Sequence, residues 1–109
     1  MPTVIEELDG ALLVRFEDSY GVFEATVDEI ELTDVTLRFY RGGEKIGSVY
    51  NDDGTARAMA RLTVPGETDF ISLEVPKAFV RELLDAAEEQ GRITNPDAVE
   101  GYRLRVLGE

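Results

Sequence analysis

The stretch LLVRFEDSYGVFEATV, residues 12–27, decides the fold because it contains a complete β-hairpin. Turn-forming residues from Asp18 to Gly21 separate two runs in which apolar and polar residues alternate. A four-residue loop there puts the apolar residues of both strands on one face and places Arg15 opposite Glu24 on the other. The predicted apolar pairs are Phe16 with Phe23, Val14 with Ala25, and Leu12 with Val27. A slip of one residue would reverse every side chain, so this register is strongly specified.

Two further turns repeat the pattern within residues 12–75, which we interpret as successive strands. Gly42-Gly43 suits a two-residue hairpin turn, and residues 65–68 (Pro-Gly-Glu-Thr) suit a four-residue turn. The first turn predicts the pairs Phe39 with Ile46 and Leu37 with Ser48. The second predicts the pairs Leu62 with Ile71 and Ala60 with Leu73. These turns agree on one apolar inner face, as expected of a meander.

The segment YNDDGT, residues 50–55, is either an acidic metal-binding loop or a turn between strands. A calcium loop of the EF-hand type needs oxygen ligands at alternate positions and a glutamate at the twelfth. Here the three polar residues 51–53 are consecutive, and the twelfth residue is Leu62. We therefore predict a three-residue hairpin loop with Gly54 as a left-handed bulge. Its predicted pairs are Tyr50 with Ala56, Ser48 with Ala58, and Ile46 with Ala60.

After Val75 the apolar period becomes helical. Pro76 suits the first helical turn and Gly91 the end of the helix, and acidic residues occupy the side opposite the apolar stripe. The stripe consists of Phe79, Val80, Leu83, Leu84 and Ala87. Asn95-Pro96-Asp97 predicts a short capped turn, and the segment from Tyr102 to Leu107 predicts a last strand.

These elements predict a single domain over residues 1–109, because the chain is long enough for one core and too short for two. The predicted fold class is α+β: an antiparallel β-meander of six to seven strands, curved or partly barrelled, with one amphipathic helix packed on the inner face. Residues 1–10 are either a loose N-terminal tail or an added edge strand.

The composition restricts the catalytic and metal-binding groups available to the chain, because it has no cysteine and no histidine. It lacks disulfides, thiolate ligands, the commonest metal ligand and the usual neutral-pH general base. This composition argues against an enzyme, and no cofactor or metal is predicted. No segment approaches the roughly 18 consecutive apolar residues of a membrane span. The acidic start MPTVIEELDG differs from a signal peptide, so we expect a cytoplasmic protein that does not contact membranes.

The net charge is −12, from 23 acidic and 11 basic residues, and Lys45 and Lys77 are the only lysines. This bias resembles that of proteins from salt-loving microbes. In molar salt the Debye length falls to about 3 Å, so a large negative charge neither repels distant partners nor strongly destabilises the fold. We therefore interpret the acidity as halophilic: it reflects the solvent in which the protein works and does not indicate its function. Residues 35–66 stand apart with a net charge of +2.

This middle third supplies the candidate site. In the predicted register, the strand face opposite the core carries Arg38 opposite Gly47 and Val49 opposite Arg57. The candidate interface or ligand face consists of Arg38, Tyr40, Gly47, Arg57, Met59 and Arg61. Such a face could bind a partner's carboxylates, or the phosphates and bases of a nucleic acid. Its arginines could instead pair with acids such as Glu44 and Glu74 on a solvated surface. Arg103 and Arg105 on the last strand could extend this face or merely flank its edge.

The composition of this face favours a small non-catalytic module that binds a protein partner or a second copy of itself, since aromatic, Met and Arg residues are enriched at interfaces. The alternative function is binding of nucleic acid or of a phosphorylated ligand. Gly42-Gly43 lacks the rest of a phosphate-loop pattern. Four further acids, Asp28, Glu29, Glu31 and Asp34, lack an organising glycine turn and are better explained as a solvated edge than as a cation site.

The halophilic interpretation predicts that the melting temperature rises as KCl increases toward molar levels, because salt screens the repulsion among the acidic residues. A gain of about 1 kcal/mol in the free energy of unfolding would raise the melting temperature by roughly 4–8 °C in a domain of this size. Thermal unfolding followed by circular dichroism at several KCl concentrations measures the effect. A flat or falling melting temperature would reject the interpretation.

Overall fold

The computed structural model describes residues 3–50, 57–63 and 70–109, with the backbone alone for residues 57–59, 61–63 and 70–72. Eight strands lie within these ranges. The three-stranded sheet consists, in spatial order, of β1 (Thr3–Leu8), β2 (Ala11–Asp18) and β3 (Gly21–Val27). The five-stranded sheet consists of β4 (Glu29–Thr33), β5 (Thr36–Arg41), β6 (Glu44–Tyr50), β7 (Arg57–Thr63) and β8 (Phe70–Pro76). The α+β class is confirmed, whereas the single meander or partial barrel of six to seven strands is wrong.

The division into two sheets occurs at Asp28, which alone separates Val27 on β3 from Glu29 on β4. A connection of one residue is too short for a hairpin, whose commonest loops have two residues or more. The chain therefore bends into a second sheet, and the apolar faces of the two sheets meet. The ring of Phe23 on β3 lies 5.8 Å, centroid to centroid, from that of Phe39 on β5.

Two predicted hairpins are confirmed residue by residue. Strands β2 and β3 pair in the predicted register, including Arg15 opposite Glu24. Strands β7 and β8 pair Leu62 with Ile71 and Ala60 with Leu73, also as predicted. The turn predicted at residues 65–68 lies outside the described residues. Of the two alternatives for the N-terminus, the edge strand is the one observed, since β1 pairs with β2 along its whole length.

A β-bulge between Phe39 and Tyr40 shifts the register of β5 and β6 by one residue. Phe39 pairs with Gly47 and Leu37 with Val49. The predicted pairs Phe39–Ile46 and Leu37–Ser48 are therefore wrong, as is Arg38 opposite Gly47. The physical reason is the core: the observed register buries Val49 completely, whereas the predicted one turns this apolar side chain outward.

The register predicted between β6 and β7 is also wrong. Tyr50 pairs with Met59, and Val49 pairs with Ala60. The predicted pairs were Tyr50 with Ala56, Ser48 with Ala58, and Ile46 with Ala60. Val49 and Ala60 are both completely buried, so their pairing satisfies the core and leaves Tyr50 half-buried at the surface. The turn predicted within residues 51–54 lies outside the described residues.

Helix α1 (Lys77–Glu89) confirms the predicted helix, and all five residues of its apolar stripe are buried. The ring of Phe79 lies 5.3 Å from that of Phe16 and 6.3 Å from that of Phe23, so the helix completes the core beside the three-stranded sheet. Gly91 follows the helix at a φ of 67°, a conformation that glycine adopts without the strain of a side chain. Within the described ranges, each helix falls short of the length and apolarity that a membrane crossing requires.

The last strand predicted from Tyr102 to Leu107 is wrong, because the C-terminus is helical. It comprises a 3₁₀ turn (Pro96–Ala98), a short helix α2 (Val99–Tyr102) and a π-helical turn (Arg103–Leu107). The buried side chains Val99, Tyr102 and Val106 are spaced by three and four residues, as in a helix, and this spacing outweighs the alternation in the short segment RLRVL. Burial raises the pKa of the Tyr102 hydroxyl above its ordinary value, so the group stays neutral in the core.

The free edge of β4 is covered by the segment after α1. Ile30 donates its N–H to the carbonyl of Arg92 and accepts a hydrogen bond from the N–H of Thr94, both at 2.9 Å. The amide of Asn95 then acts like a strand residue: it accepts from the Leu32 N–H at 3.0 Å and donates to the Leu32 carbonyl at 2.6 Å. Asn95 lies immediately before the 3₁₀ turn, but its side chain makes no hydrogen bond that caps this turn. It stabilises the edge of β4 instead.

This contact predicts that Asn95→Ala lowers the free energy of unfolding by about 1–3 kcal/mol, because it leaves two backbone groups of Leu32 without partners. The neighbouring exposed residue provides a matched control, since Asp97→Ala should change stability by less than about 0.5 kcal/mol. Urea unfolding measures both, and faster amide exchange at Leu32 would locate the defect. Equal losses in the two variants would contradict the assigned role of Asn95.

Candidate interaction surface

The side of the five-stranded sheet that faces away from the core carries two described members of the candidate site, Arg38 and Tyr40. Leu32, Leu37, Phe39 and Val49 are buried, and the residues that alternate with them along β4, β5 and β6 lie on the opposite side. We call this surface the Arg38 face and define it by residues that are half-buried or exposed: Glu29, Glu31, Arg38, Tyr40 and Tyr50.

Strand pairing aligns the candidate positions in two rows across the sheet. In the first row, Arg38 pairs with Glu31 on one side and Ser48 on the other, and Ser48 pairs with Arg61. In the second row, Tyr50 pairs with Thr36 and Met59. Directly paired residues on neighbouring strands have Cβ atoms about 4.5–5.5 Å apart, so each row is a set of close neighbours. The fold therefore places Arg38 on β5 and Met59 and Arg61 on β7, with the single strand β6 between them.

Glu31 links Arg38 and Tyr40 on this surface. The Tyr40 hydroxyl donates to Oε1 of Glu31 at 3.2 Å, and Nη1 of Arg38 lies 3.6 Å from the same oxygen. The latter distance is too long for a hydrogen bond. The side chains of Arg38 and Glu31 are 41% and 37% exposed, and an ion pair this accessible contributes about 0–1 kcal/mol. The guanidinium of Arg38 is thus held loosely.

The Nε atom of Arg38 is buried and lacks a hydrogen-bond partner among the described residues. A buried donor without a partner costs about 1–3 kcal/mol of stability. The rest of the guanidinium reaches the surface, where a second molecule can contact it. An arginine with this cost, and with only a weak contact to Glu31 among the described residues, contributes little to folding.

Other predicted members of the face lie elsewhere or beyond the described side chains. Gly47 pairs with the buried Phe39 and so occupies the core side of the sheet, and Val49 is buried and pairs with Ala60, not with Arg57. Both corrections follow from the bulge in β5–β6. Arg57, Met59 and Arg61 occupy alternate backbone positions of β7, and their side chains lie outside the described part of the chain.

Arg103 and Arg105 do not extend the Arg38 face, because both belong to the helical C-terminus. Nη2 of Arg103 donates to Asp85 and Glu88 on α1, and this bonding, chiefly that to Asp85, raises the pKa of the guanidinium. Nε of Arg105 donates to the Asp34 carbonyl at 3.1 Å. These arginines fasten the C-terminus to α1 and to the β4–β5 turn. Glu44 and Glu74 were the acids suggested as partners for arginines of the basic face. For Arg38, the acid that lies near its guanidinium is Glu31.

The acidic residues near β4 serve separate partners. Asp28 Oδ2 accepts a hydrogen bond from the Gly42 N–H at 2.7 Å, and Asp34 lies 3.3 Å from the guanidinium of Arg105. Across residues 3–50, 57–63 and 70–109, no group of three acidic side chains is placed to hold a metal ion. Two of the four acids, Asp28 and Asp34, thus hold neighbouring segments in place by separate contacts.

Two cavities border the Arg38 face along β4. A cavity of about 360 Å³ is lined by Glu29, Glu31, Tyr40, Gly43 and Thr94. A second, of about 540 Å³, lies between the start of β4 and the segment after α1, and Glu29 and Thr94 line both. Because they share these two residues, the two cavities adjoin beside Tyr40.

Sequence reasoning missed Glu31 and Tyr50 as members of the surface. The two-residue turn Asp34-Val35 pairs Glu31 with Arg38, and opposite charges at that offset are a detectable signal of cross-strand pairing. Tyr50 had no such signal, because the bulge that turns it outward depends on packing within the core. No family model, curated protein or solved structure matches the chain.

The contrast between two arginines gives a prediction about stability. Arg38→Met should leave the free energy of unfolding unchanged or raise it by about 1 kcal/mol, because it keeps the aliphatic stem and removes the unpaired Nε donor. Arg92→Met should lower it by about 1–3 kcal/mol, since Arg92 donates to Gln90, the Asp28 carbonyl and Glu7. Denaturant unfolding of both variants measures the difference. A larger loss for Arg38→Met would show that Arg38 stabilises the fold.

Proposed function

We propose that this chain is a small non-catalytic interaction module that docks a protein partner on the Arg38 face. The observation that carries the proposal is the state of Arg38: a half-exposed side chain whose buried Nε has no hydrogen-bond partner among the described residues, and whose guanidinium lies 3.6 Å from Glu31. A partner carboxylate would give it the strong, two-pronged bonding that it lacks within the chain. The lack of histidine and cysteine supports a binding role over a catalytic one.

The mixture of groups on the Arg38 face suits a protein better than a polyanion. Two tyrosines flank an arginine and two glutamates, and aromatic residues and arginine are the types enriched at protein interfaces. Tyr40 presents a ring whose hydroxyl is already fixed by Glu31, so little side-chain freedom is lost on binding. Glu29 is exposed beside it and would repel a phosphate backbone.

One observation favours a second function, the binding of nucleic acid or of a phosphorylated ligand. The positions of Arg38 and Arg61 lie in one row with Ser48 between them, so two basic residues share one row of the sheet, as a phosphate-binding surface requires. The net charge of −12 and Glu31 in the same row oppose this function at low salt. We therefore place it second.

The test compares Tyr40→Ser with Tyr20→Ser. Tyr20 is 90% exposed in the β2–β3 turn, so its substitution is chemically identical and remote from the Arg38 face. Immobilised wild-type chain and both variants are incubated with extract of the source cells, and the retained proteins are quantified by mass spectrometry. We expect at least one protein that wild type and Tyr20→Ser retain equally and that Tyr40→Ser and Arg38→Met lose by about tenfold or more, the scale of an interface hot spot.

The alternatives give different results in the same series. Retention that is equal for all variants would contradict docking on the Arg38 face. Saturable binding of a labelled single-stranded oligonucleotide, abolished by Arg57→Glu with Arg61→Glu and steeply salt-dependent, would support the second function in place of the first. Light scattering on each variant shows whether the retained protein is the chain itself.

A further inference from the structure

The outer strands of the two sheets, β1, β3, β4 and β8, differ in what covers their edges. The edge of β4 is covered by backbone and side-chain hydrogen bonds from residues 92–95. Strand β3 packs beside β8, where a Cβ added at Gly21 would lie 3.6 Å from Cδ1 of Leu73. Strand β1 is different: among the described residues, no backbone hydrogen bond reaches it from outside the β1–β2 pair. An open strand edge is a template for another strand.

The turn between β1 and β2 determines which groups this edge presents. Asp9 and Gly10 have φ values of 51° and 79°, as in the two-residue turn whose flanking residues, here Leu8 and Ala11, exchange two hydrogen bonds. Such pairs alternate along an antiparallel ladder. Counting back from Leu8, the N–H and C=O groups of Thr3, Ile5 and Glu7 point away from β2.

We propose that β1 is a self-association edge, at which a second copy of this chain pairs its own β1 in antiparallel orientation around Ile5. The two-fold axis then places Ile5 opposite Ile5, Thr3 opposite Glu7 and Val4 opposite Glu6. This register uses the outward groups of both strands and forms about six backbone hydrogen bonds. It joins the three-stranded sheets of both copies into one continuous sheet of six strands, with the same patch on both subunits, as an isologous dimer requires.

The charge pattern of β1 selects this occupant and this register. The first half of the strand, Thr3 to Ile5, is uncharged, and the second half carries Glu6 and Glu7. Antiparallel self-pairing around Ile5 therefore sets every glutamate against an uncharged residue, whereas parallel in-register pairing would set like charges opposite each other. Ile5 packs against the core, so Val4 and Glu6 meet on the outer side of the joined sheet.

Charge changes at Val4 test the proposal. In the dimer, Val4→Lys faces Glu6 of the second copy, whereas Val4→Glu repels it. Each contact occurs twice, so we expect the dimer dissociation constant to fall about tenfold for Val4→Lys and to rise about tenfold for Val4→Glu. Within one chain, Val4 pairs with Arg15, so folding stability should change in the opposite directions. Sedimentation equilibrium at the lowest KCl concentration at which the wild-type chain is folded and associated measures association, because molar salt would screen these charge pairs. Thermal unfolding in the same buffer measures stability.

A second pair of variants removes the dependence on charge. Glu7→Pro deletes an outward N–H and leaves the β1–β2 hydrogen bonds in place, whereas Glu7→Ala keeps that N–H and loses the same carboxylate. We expect Glu7→Pro to be monomeric and Glu7→Ala to associate. A monomeric wild-type chain, identical effects of the two Val4 variants, or equal association of the two folded Glu7 variants would overturn the proposal. Loss of self-association in Tyr40→Ser would do so too, by moving the contact to the Arg38 face.

Discussion

Asp28 imposes the constraint on which the architecture depends, because a connection of one residue between β3 and β4 cannot reverse the chain. Its backbone and side chain then hold the bend in place. The Asp28 N–H donates to the Tyr40 carbonyl at 2.8 Å, its carbonyl accepts from Nη1 of Arg92 at 3.2 Å, and its carboxylate accepts from the Gly42 N–H. The end of one sheet, the β5–β6 turn and the segment after α1 are thereby joined at one residue, and the aromatic core forms between the two sheets.

Arg92 and Arg38 show how the same side chain serves two different ends. The side chain of Arg92 is 13% exposed and its guanidinium donates to Gln90, Asp28 and Glu7, so its desolvation is compensated within the chain. Arg38 is more exposed, and its buried Nε has no such compensation among the described residues. A fold selected for stability alone would favour an apolar residue at position 38. The difference separates an arginine that holds the elements together from one that is only weakly bonded among the described residues.

The sequence predicted the fold well where apolar residues occupy one face alone. In residues 12–27 a slip of one residue would expose Leu12, Val14 and Phe16 together, so a single register survives. In β6, the run Ile46 to Tyr50 would place apolar residues on both faces of the sheet. The local sequence pattern therefore cannot decide whether Ile46 or Val49 is buried. The bulge makes that choice through contacts with Leu37 and Ala60 on neighbouring strands. The same difference affected the candidate site. The alternation within β5 correctly predicted that Arg38 and Tyr40 face away from the core, whereas the register error in β6 put Gly47 on the wrong side of the sheet.

The two proposed surfaces lie on different sheets, and this separation has a functional consequence. Pairing at β1 extends the three-stranded sheet and leaves the Arg38 face of the five-stranded sheet uncovered. A dimer would therefore present two Arg38 faces on one particle, and a partner with two binding segments would gain the second contact at high effective concentration. The net charge of −12 on each copy opposes association at low salt. Molar salt shortens the Debye length to about 3 Å, which weakens this repulsion but leaves the short backbone hydrogen bonds of the β1 pair intact. Ionic strength would therefore control folding, self-association and bivalent binding together.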